Sequence, residues 1–153
     1  LLYAGQASAQ IITNGQASAR IVSGLSITQT STLEFNEILS NGSGGSVSIS
    51  ASGATTYEGV NAFPGSKTPQ AAQFHVRGEA NTHYTSQLPE EIAISNNQNQ
   101  RLTIHNFSVN SKRGYTLDGY GVDVLTVGAT LDVSANQQGG LYQGQFRVTI
   151  NYN

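Results

Sequence analysis

Residues 125–133, LTVGATLDV, alternate apolar and polar side chains, and residues 146–152, FRVTINY, do the same. A period of two places alternate side chains on opposite faces of an extended strand. The same period recurs in four further segments, at residues 33–35, 46–52, 72–76 and 102–104. Turn-forming residues such as Asn-Gly-Ser-Gly-Gly at 41–45 separate the segments, and no segment has a helical period. We therefore predict an all-β domain, a β-sandwich of about eight to ten short strands.

The composition favours a surface made of hydroxyls and amides. Ser, Thr, Asn and Gln make up 57 of the 153 residues, only 10% are charged, and the net charge is -2. This charge gives no electrostatic footprint for nucleic acid, so we expect no nucleic-acid partner. Cys and Met are absent, which removes disulfides and the two most oxidisable side chains and suits an oxidising exterior. No apolar run approaches the roughly 20 residues of a membrane span, so we expect no membrane-spanning segment.

One strand sequence is written twice near the start of the chain. Residues 5–12, GQASAQII, return ten positions later at 15–22 as GQASARIV. A surplus strand is what a chain would carry if it completed the open edge of a neighbouring sheet. We predict a donor-strand extension at residues 1–14, called the arm below, and a body at 15–153. The arm residues that share one face of an extended strand, and so form the predicted donor face, are Tyr3, Gly5, Ala7, Ala9 and Ile11.

A signal-peptide remnant is the alternative explanation of the same segment. Ala7-Ser8-Ala9 has the small-x-small form of a cleavage site, and Leu1 to Ala4 resemble the tail of an apolar region. Against this, Gly5 and Gln6 suit such a region poorly, and the same triplet recurs at 17–19, where no cleavage is expected.

The pattern of residues 125–152, together with Leu33-Glu34-Phe35, is similar to that of an uncharacterised family of bacterial secreted β-domains. That family in turn resembles chaperone-usher pilins, including the spore-coat-U-like type, in its alternating last strand and penultimate tyrosine, here Tyr152. The resemblance implies an immunoglobulin-like β-sandwich that lacks its final strand and is completed by a donor strand from a neighbouring subunit. The best-known pilins carry a disulfide that this chain lacks.

The resemblance also implies a function and an acceptor groove. The chain would be a structural subunit of a secreted cell-surface filament, a pilus or fimbrium, that polymerises head to tail with itself after passage through the periplasm. A periplasmic chaperone and an outer-membrane usher would assist assembly, and the last strand would pair with residues 3 to 12 of another copy. The groove would be lined on one side by Ala17, Ala19 and Ile21 and on the other by Phe146, Val148, Ile150 and Tyr152. An ordinary hydrophobic core is the alternative reading of these residues.

Catalytic signatures are missing from the sequence. It contains no Gly-x-Ser-x-Gly, no His-Glu-x-x-His and no phosphate-binding loop. His75, His83 and His105 fall on separate segments without metal-ligand spacing. We therefore expect no catalytic residues, no metal, no cofactor and no enzymatic activity. Asp118 and Asp123, which flank Gly-Tyr-Gly, leave calcium binding open as a minor alternative.

Aromatic residues suggest a second function, a secreted monomeric module that binds carbohydrate by stacking sugars on exposed rings. Most such rings would pack in the core or in turns of any β-domain. The residues that raise this alternative are Tyr57, Phe63, Tyr84, Tyr115, Tyr120 and Tyr142.

Overall fold

A computed structural model describes all 153 residues. The chain forms eleven β-strands and no helix, which confirms the all-β prediction. None of its elements is therefore a helix long and apolar enough to cross a membrane. The strands are β1 (Ser26–Ser31), β2 (Ile38–Leu39), β3 (Gly45–Ile49), β4 (Thr55–Glu58), β5 (Asn61–Ala62), β6 (Ala72–Arg77), β7 (Tyr84–Gln87), β8 (Glu91–Ser95), β9 (Arg101–Ser111), β10 (Val122–Val133) and β11 (Thr149–Tyr152).

The long strand β10 organises a seven-stranded antiparallel sheet. One of its edges pairs with β9, while the other pairs with β6 as far as Val127 and with β3 from Ala129 onward. The sheet continues from β6 to β1, from β3 to β4 and from β9 to β8. Gly128 lies at the changeover, where a built Cβ would be 2.1 Å from the carbonyl oxygen of Ile49. Only glycine permits this approach of β3 to β10.

Two small sheets, β7 with β11 and β2 with β5, complete the fold. A buried cluster that includes Phe74 and Val76 of β6, Leu125 of β10 and Tyr84 of β7 joins the β7–β11 pair to the large sheet. A second cluster, which includes Val47 and Ile104, lies under the β3, β8 and β9 part of the same sheet. This packing of sheet on sheet is consistent with the predicted β-sandwich.

Three of the predicted strand segments are shortened or absent, the first being 46–52, where β3 ends at Ile49. Residues 33–35 form no strand, and Glu34 makes only an isolated bridge with Gln70. Residues 146–148 lie outside β11, although they continue its alternation. The register that places Thr149 opposite Gln87 would bring residue 147 opposite Pro89, which has no N–H to donate.

Residues 1–25 precede β1 and form no strand. The sheet therefore begins at Ser26, eleven residues after the predicted start of the body at residue 15. The division into an arm at 1–14 and a body at 15–153 stays a prediction.

Candidate assembly site

Strand β11 has one paired edge and one open edge. Its four residues pair with β7 in antiparallel register, with Tyr152 opposite Tyr84. No other strand of the chain pairs with β11. The backbone donors and acceptors of the open edge therefore have no β-partner in this chain, and such an edge is a template for a further strand.

Four alternating side chains accompany this edge. All four are half-buried and pack against the cluster that joins the two sheets. The ring of Phe146 meets Phe74 edge to face, with centroids 6.0 Å apart, and lies 5.2 Å from the ring of Phe107. The structure thus brings together one side of the predicted groove, called the β11 face below, which consists of Phe146, Val148, Ile150 and Tyr152.

The structure does not bring the other predicted side of the groove to this place. Ala17, Ala19 and Ile21 are exposed and lie outside any strand, and Ile21 is 93% exposed. Their place beside the cluster is taken by residues further along the chain, because β1 starts only at Ser26. Leu25, Ile27 and Leu33 are half-buried against the same cluster as the β11 face.

The arm lies free of the body. All five residues of the predicted donor face are exposed, and no backbone group of residues 1–22 takes part in a hydrogen bond. A Cβ built on Gly5 would meet no atom within 4 Å. Seven of the eleven exposed large hydrophobic residues precede β1, namely Leu1, Leu2, Tyr3, Ile11, Ile12, Ile21 and Val22. Water therefore surrounds an unusual amount of apolar surface in this part of the chain.

Around residues 20–23 a polar cluster connects the chain to the end of β11. The hydroxyl of Tyr152 accepts a hydrogen bond from the backbone N–H of Glu79 at 2.7 Å and donates one to the carbonyl oxygen of Ser23. The N–H of Ser23 donates to the Glu79 carboxylate at 2.9 Å, and Arg20 forms an ion pair with the same carboxylate. We call Ser23, Glu79 and Tyr152 the root clamp.

The charge of Glu79 and the absence of a side chain at Gly78 both stabilise the root clamp. The bond from the Ser23 N–H, followed by the charge of Arg20, holds the pKa of Glu79 below its ordinary value. Gly78 makes room for the phenol, since a Cβ at this position would lie 2.5 Å from the Tyr152 hydroxyl and 2.9 Å from Leu25. Apart from the penultimate tyrosine, no sequence pattern predicts this cluster, because Ser23 and Tyr152 are 129 residues apart.

The family described as "Domain of unknown function (DUF4402)" matches residues 25–152. The chain belongs to this family. The prediction of an uncharacterised domain family is thereby confirmed, and the match begins one residue before β1. No curated protein and no solved structure matches the chain.

A buried carboxylate holds β7, the partner of β11, against the large sheet of the DUF4402 domain. Asp123 of β10 is 1% exposed and accepts hydrogen bonds from the hydroxyl of Tyr84, at 2.7 Å, and from that of Ser111. Its second oxygen accepts from the N–H of Val124 at 2.7 Å. Burial, followed by the Asp123 carboxylate, raises the pKa of Tyr84 well above its ordinary value. The Asp123 carboxylate thus connects β7, β9 and β10 of the DUF4402 domain by hydrogen bonds.

The two aspartates considered for calcium have separate roles. The Asp118 carboxylate accepts from the N–H groups of Tyr120 and Val122, both at 2.9 Å, and these bonds lower its pKa. Asp123 is engaged with Tyr84 and Ser111, as described above. The second oxygen of Asp118 lies 3.3 Å from an Arg113 nitrogen, so the oxygens of both carboxylates are used within the domain. No group of three or more metal-ligating side chains is present.

The histidines are equally dispersed. His83 bonds the Thr116 hydroxyl at 2.8 Å, and His105 bonds the Asp132 carboxylate at 2.9 Å across β9 and β10. His75 lines a cleft on the outer face of the large sheet.

The aromatic side chains considered for sugar stacking lie in different environments of the DUF4402 domain. Tyr84 is buried and meets the half-buried Tyr115 edge to face, with centroids 5.8 Å apart. Tyr57 packs against the other cluster, and the Tyr142 hydroxyl bonds the carbonyl oxygen of Gln138. The two rings that remain exposed are those of Phe63 and Tyr120.

Proposed function

We propose that this chain is a structural subunit of an extracellular filament, a pilus or fimbrium, whose copies join by N-terminal donor-strand exchange. One observation carries the proposal: the same chain has an open strand edge beside a half-buried apolar face, and a separate arm with exposed apolar side chains. Each part offers what the other lacks, since the edge needs a strand and the arm needs an apolar surface.

The dimensions of the two parts match. Ten arm residues, 3–12, extend about 33 Å at about 3.3 Å per residue, while residues 146–152 extend about 23 Å. The arm is therefore long enough to cover the whole β11 face. With its donor face turned inward, Gln6 and Ser8 point outward to solvent. The inserted strand would complete an immunoglobulin-like sandwich.

The expected interactions are strong enough for a stable joint. The four residues of β11 would make about four main-chain hydrogen bonds at their open edge, each worth about 0.5–1.5 kcal/mol. Burial of Tyr3 and Ile11 would add about 1.5–3 kcal/mol for each side chain. Ala7 and Ala9 add less, but their small side chains let the strand approach the cluster closely. Together these contributions offset the cost of ordering the arm and of association.

The joint would be heterologous, since the arm of one copy meets the β11 face of the next. A head-to-tail contact that does not close on itself produces an open filament. Secretion through the periplasm to the cell surface, with a chaperone and an usher, belongs to the same proposal and is supported by the pilin resemblance. The lack of Cys and Met suits such a location.

Deletion of residues 1–13 tests the proposal. We expect the full chain to form filaments in electron micrographs, and the shortened chain to remain folded by circular dichroism but to form none. Ordered filaments from the shortened chain would show that the arm is not the joint.

A matched pair of substitutions tests the orientation of the arm. Ala9→Asp would place an unpaired carboxylate against the apolar β11 face and weaken the joint by several kcal/mol, about 2 or more. Ser8→Asp adds the same charge on the outer side and should cost less than about 0.5 kcal/mol. The denaturant concentration that dissolves the filaments measures both. Equal losses of filament stability in the two variants would contradict a strand inserted by one face.

A full chain that stays monomeric and binds sugars through Phe63 or Tyr120 would favour the carbohydrate-binding alternative.

A further inference from the structure

The outer face of the large sheet carries a cleft that the proposed assembly does not use. Its volume is about 740 Å³, and most of the residues that line it are polar. Strands β6, β9 and β10 form its floor, and residues 51–53 and 69–71 form its walls. The cleft lies where β10 changes its pairing from β6 to β3, so that the turn after β3 rises beside the exposed face of β6.

One row of polar side chains crosses the floor. Ser31 pairs with Gln73, Gln73 with Thr126, and Thr126 with Asn110, so these four residues stand side by side on four adjacent strands. Their neighbours along the strands, such as Ala72 and Leu125, are buried in the core, and the row therefore faces outward. Four strands about 4.8 Å apart give a row about 14 Å long. Its hydroxyls and amides both donate and accept hydrogen bonds.

The next row adds a cation. His75 stands opposite Val124, and the N–H of Lys112 bonds the carbonyl oxygen of Val124. Lys112 takes part in none of the ion pairs of the chain, and no carboxylate lines the cleft. The cleft is therefore locally positive in a chain whose net charge is -2. An unpaired ammonium beside rows of hydroxyls and amides suits a ligand with both an acid group and many hydroxyls.

We propose that this cleft binds an acidic polysaccharide of the uronic-acid type. The row from Ser31 to Asn110 hydrogen-bonds the sugar hydroxyls, and Lys112 holds a carboxylate. Aromatic stacking plays no part, because the lining contains no Phe, Tyr or Trp. In the proposed filament each subunit would repeat the cleft, and many weak sites on one polymer bind a long polysaccharide far more tightly than one site does.

Binding of fluorescein-labelled tetragalacturonate to the full chain, followed by anisotropy, tests this proposal. We expect saturable binding that Lys112→Gln weakens about three- to tenfold, as the loss of an exposed charge-assisted hydrogen bond predicts. Lys67→Gln is the matched control, because Lys67 is the one other lysine of the chain and lies outside the cleft. Asn110→Ala should weaken binding without changing the charge.

Three results would overturn the proposal. Equal affinity for a neutral galactose tetramer would exclude recognition of the acid, and equal weakening by Lys67→Gln would indicate a general charge effect. Competition by sodium acetate at the same concentration as the oligosaccharide would reduce the site to a simple anion site. The assay is independent of assembly, so a failure to form filaments and a failure to bind the sugar acid are separate results.

Discussion

At the scale of single residues, the buried acid Asp123 depends on its hydrogen-bond donors. Tyr84→Phe keeps the ring but leaves one oxygen of this 1% exposed carboxylate with a single side-chain donor, Ser111. We expect a loss of about 1–3 kcal/mol in the free energy of unfolding, measured with urea. Tyr120→Phe is the control, because Tyr120 is 93% exposed, and it should change stability by less than about 0.5 kcal/mol. Similar values for the two variants would contradict this role of Asp123.

His105 should make stability depend on pH. Its hydrogen bond to the Asp132 carboxylate raises the pKa of His105 above its ordinary value. The folded state then holds the proton more tightly, so the added stability is fully present below about pH 6.5 and is lost as the pH rises through the raised pKa. We expect a fall of about 0.2–1 kcal/mol in unfolding free energy from about pH 6 to 8, as is usual for such surface pairs.

Substitution of either partner checks this effect. Asp132→Asn and His105→Gln should each flatten the pH profile, while His83→Gln, just before β7 and away from this pair, should leave it unchanged. A profile that persists in Asp132→Asn would assign the pH dependence to a different group.

At the scale of elements, alternation predicted the strands that have partners on both sides. Strands β3, β6, β9 and β10 all lie within the large sheet, where burial of one face and two paired edges agree with the local pattern. The pattern failed at residues 33–35, 50–52 and 146–148, because a strand also needs a backbone partner. Sequence alternation indicates which face of a strand is apolar. It does not indicate that the pairing of β11 with β7 stops before Pro89.

The root clamp gives a prediction for the contact between the segment before β1 and the end of β11. Tyr152→Phe keeps the ring on the β11 face but removes the bonds to Glu79 and Ser23. We expect hydrogen exchange at the Glu79 amide to become about 2- to 12-fold faster, as the loss of about 0.5–1.5 kcal/mol predicts. Gly78→Ala should have a similar effect by displacing the phenol. Tyr142→Phe removes a hydroxyl elsewhere and should leave this amide unchanged; faster exchange in that variant would contradict a local clamp.

At the scale of the whole molecule, the proposed assembly site combines local sequence patterns with placements that depend on distant parts of the chain. The repeat predicts the arm, and the alternation of the last residues predicts the β11 face. Both the repeat and the alternation are local patterns in the sequence. The pilin resemblance implies a groove position for Ala17, Ala19 and Ile21. In the structure, the residues beside the cluster that joins the two sheets are Leu25, Ile27 and Leu33. The residues before β1 that lie near β11 depend on where β1 begins. The start of β1 depends in turn on its pairing with β6, about 50 residues further along the chain.

The polarity of the joint gives the last prediction. A copy without residues 1–13 keeps the β11 face but has no arm to donate, and a copy with Val148→Ser and Tyr152→Ser keeps the arm but has a less apolar face. We expect each to remain monomeric alone, once circular dichroism shows that both are folded. Mixed in equal amounts, they should form heterodimers that do not grow, because a heterologous contact has two different halves and each copy supplies one of them. Light scattering after size-exclusion chromatography measures the mass. Dimers formed by either variant alone would indicate a symmetric contact, and the filament proposal would then fail.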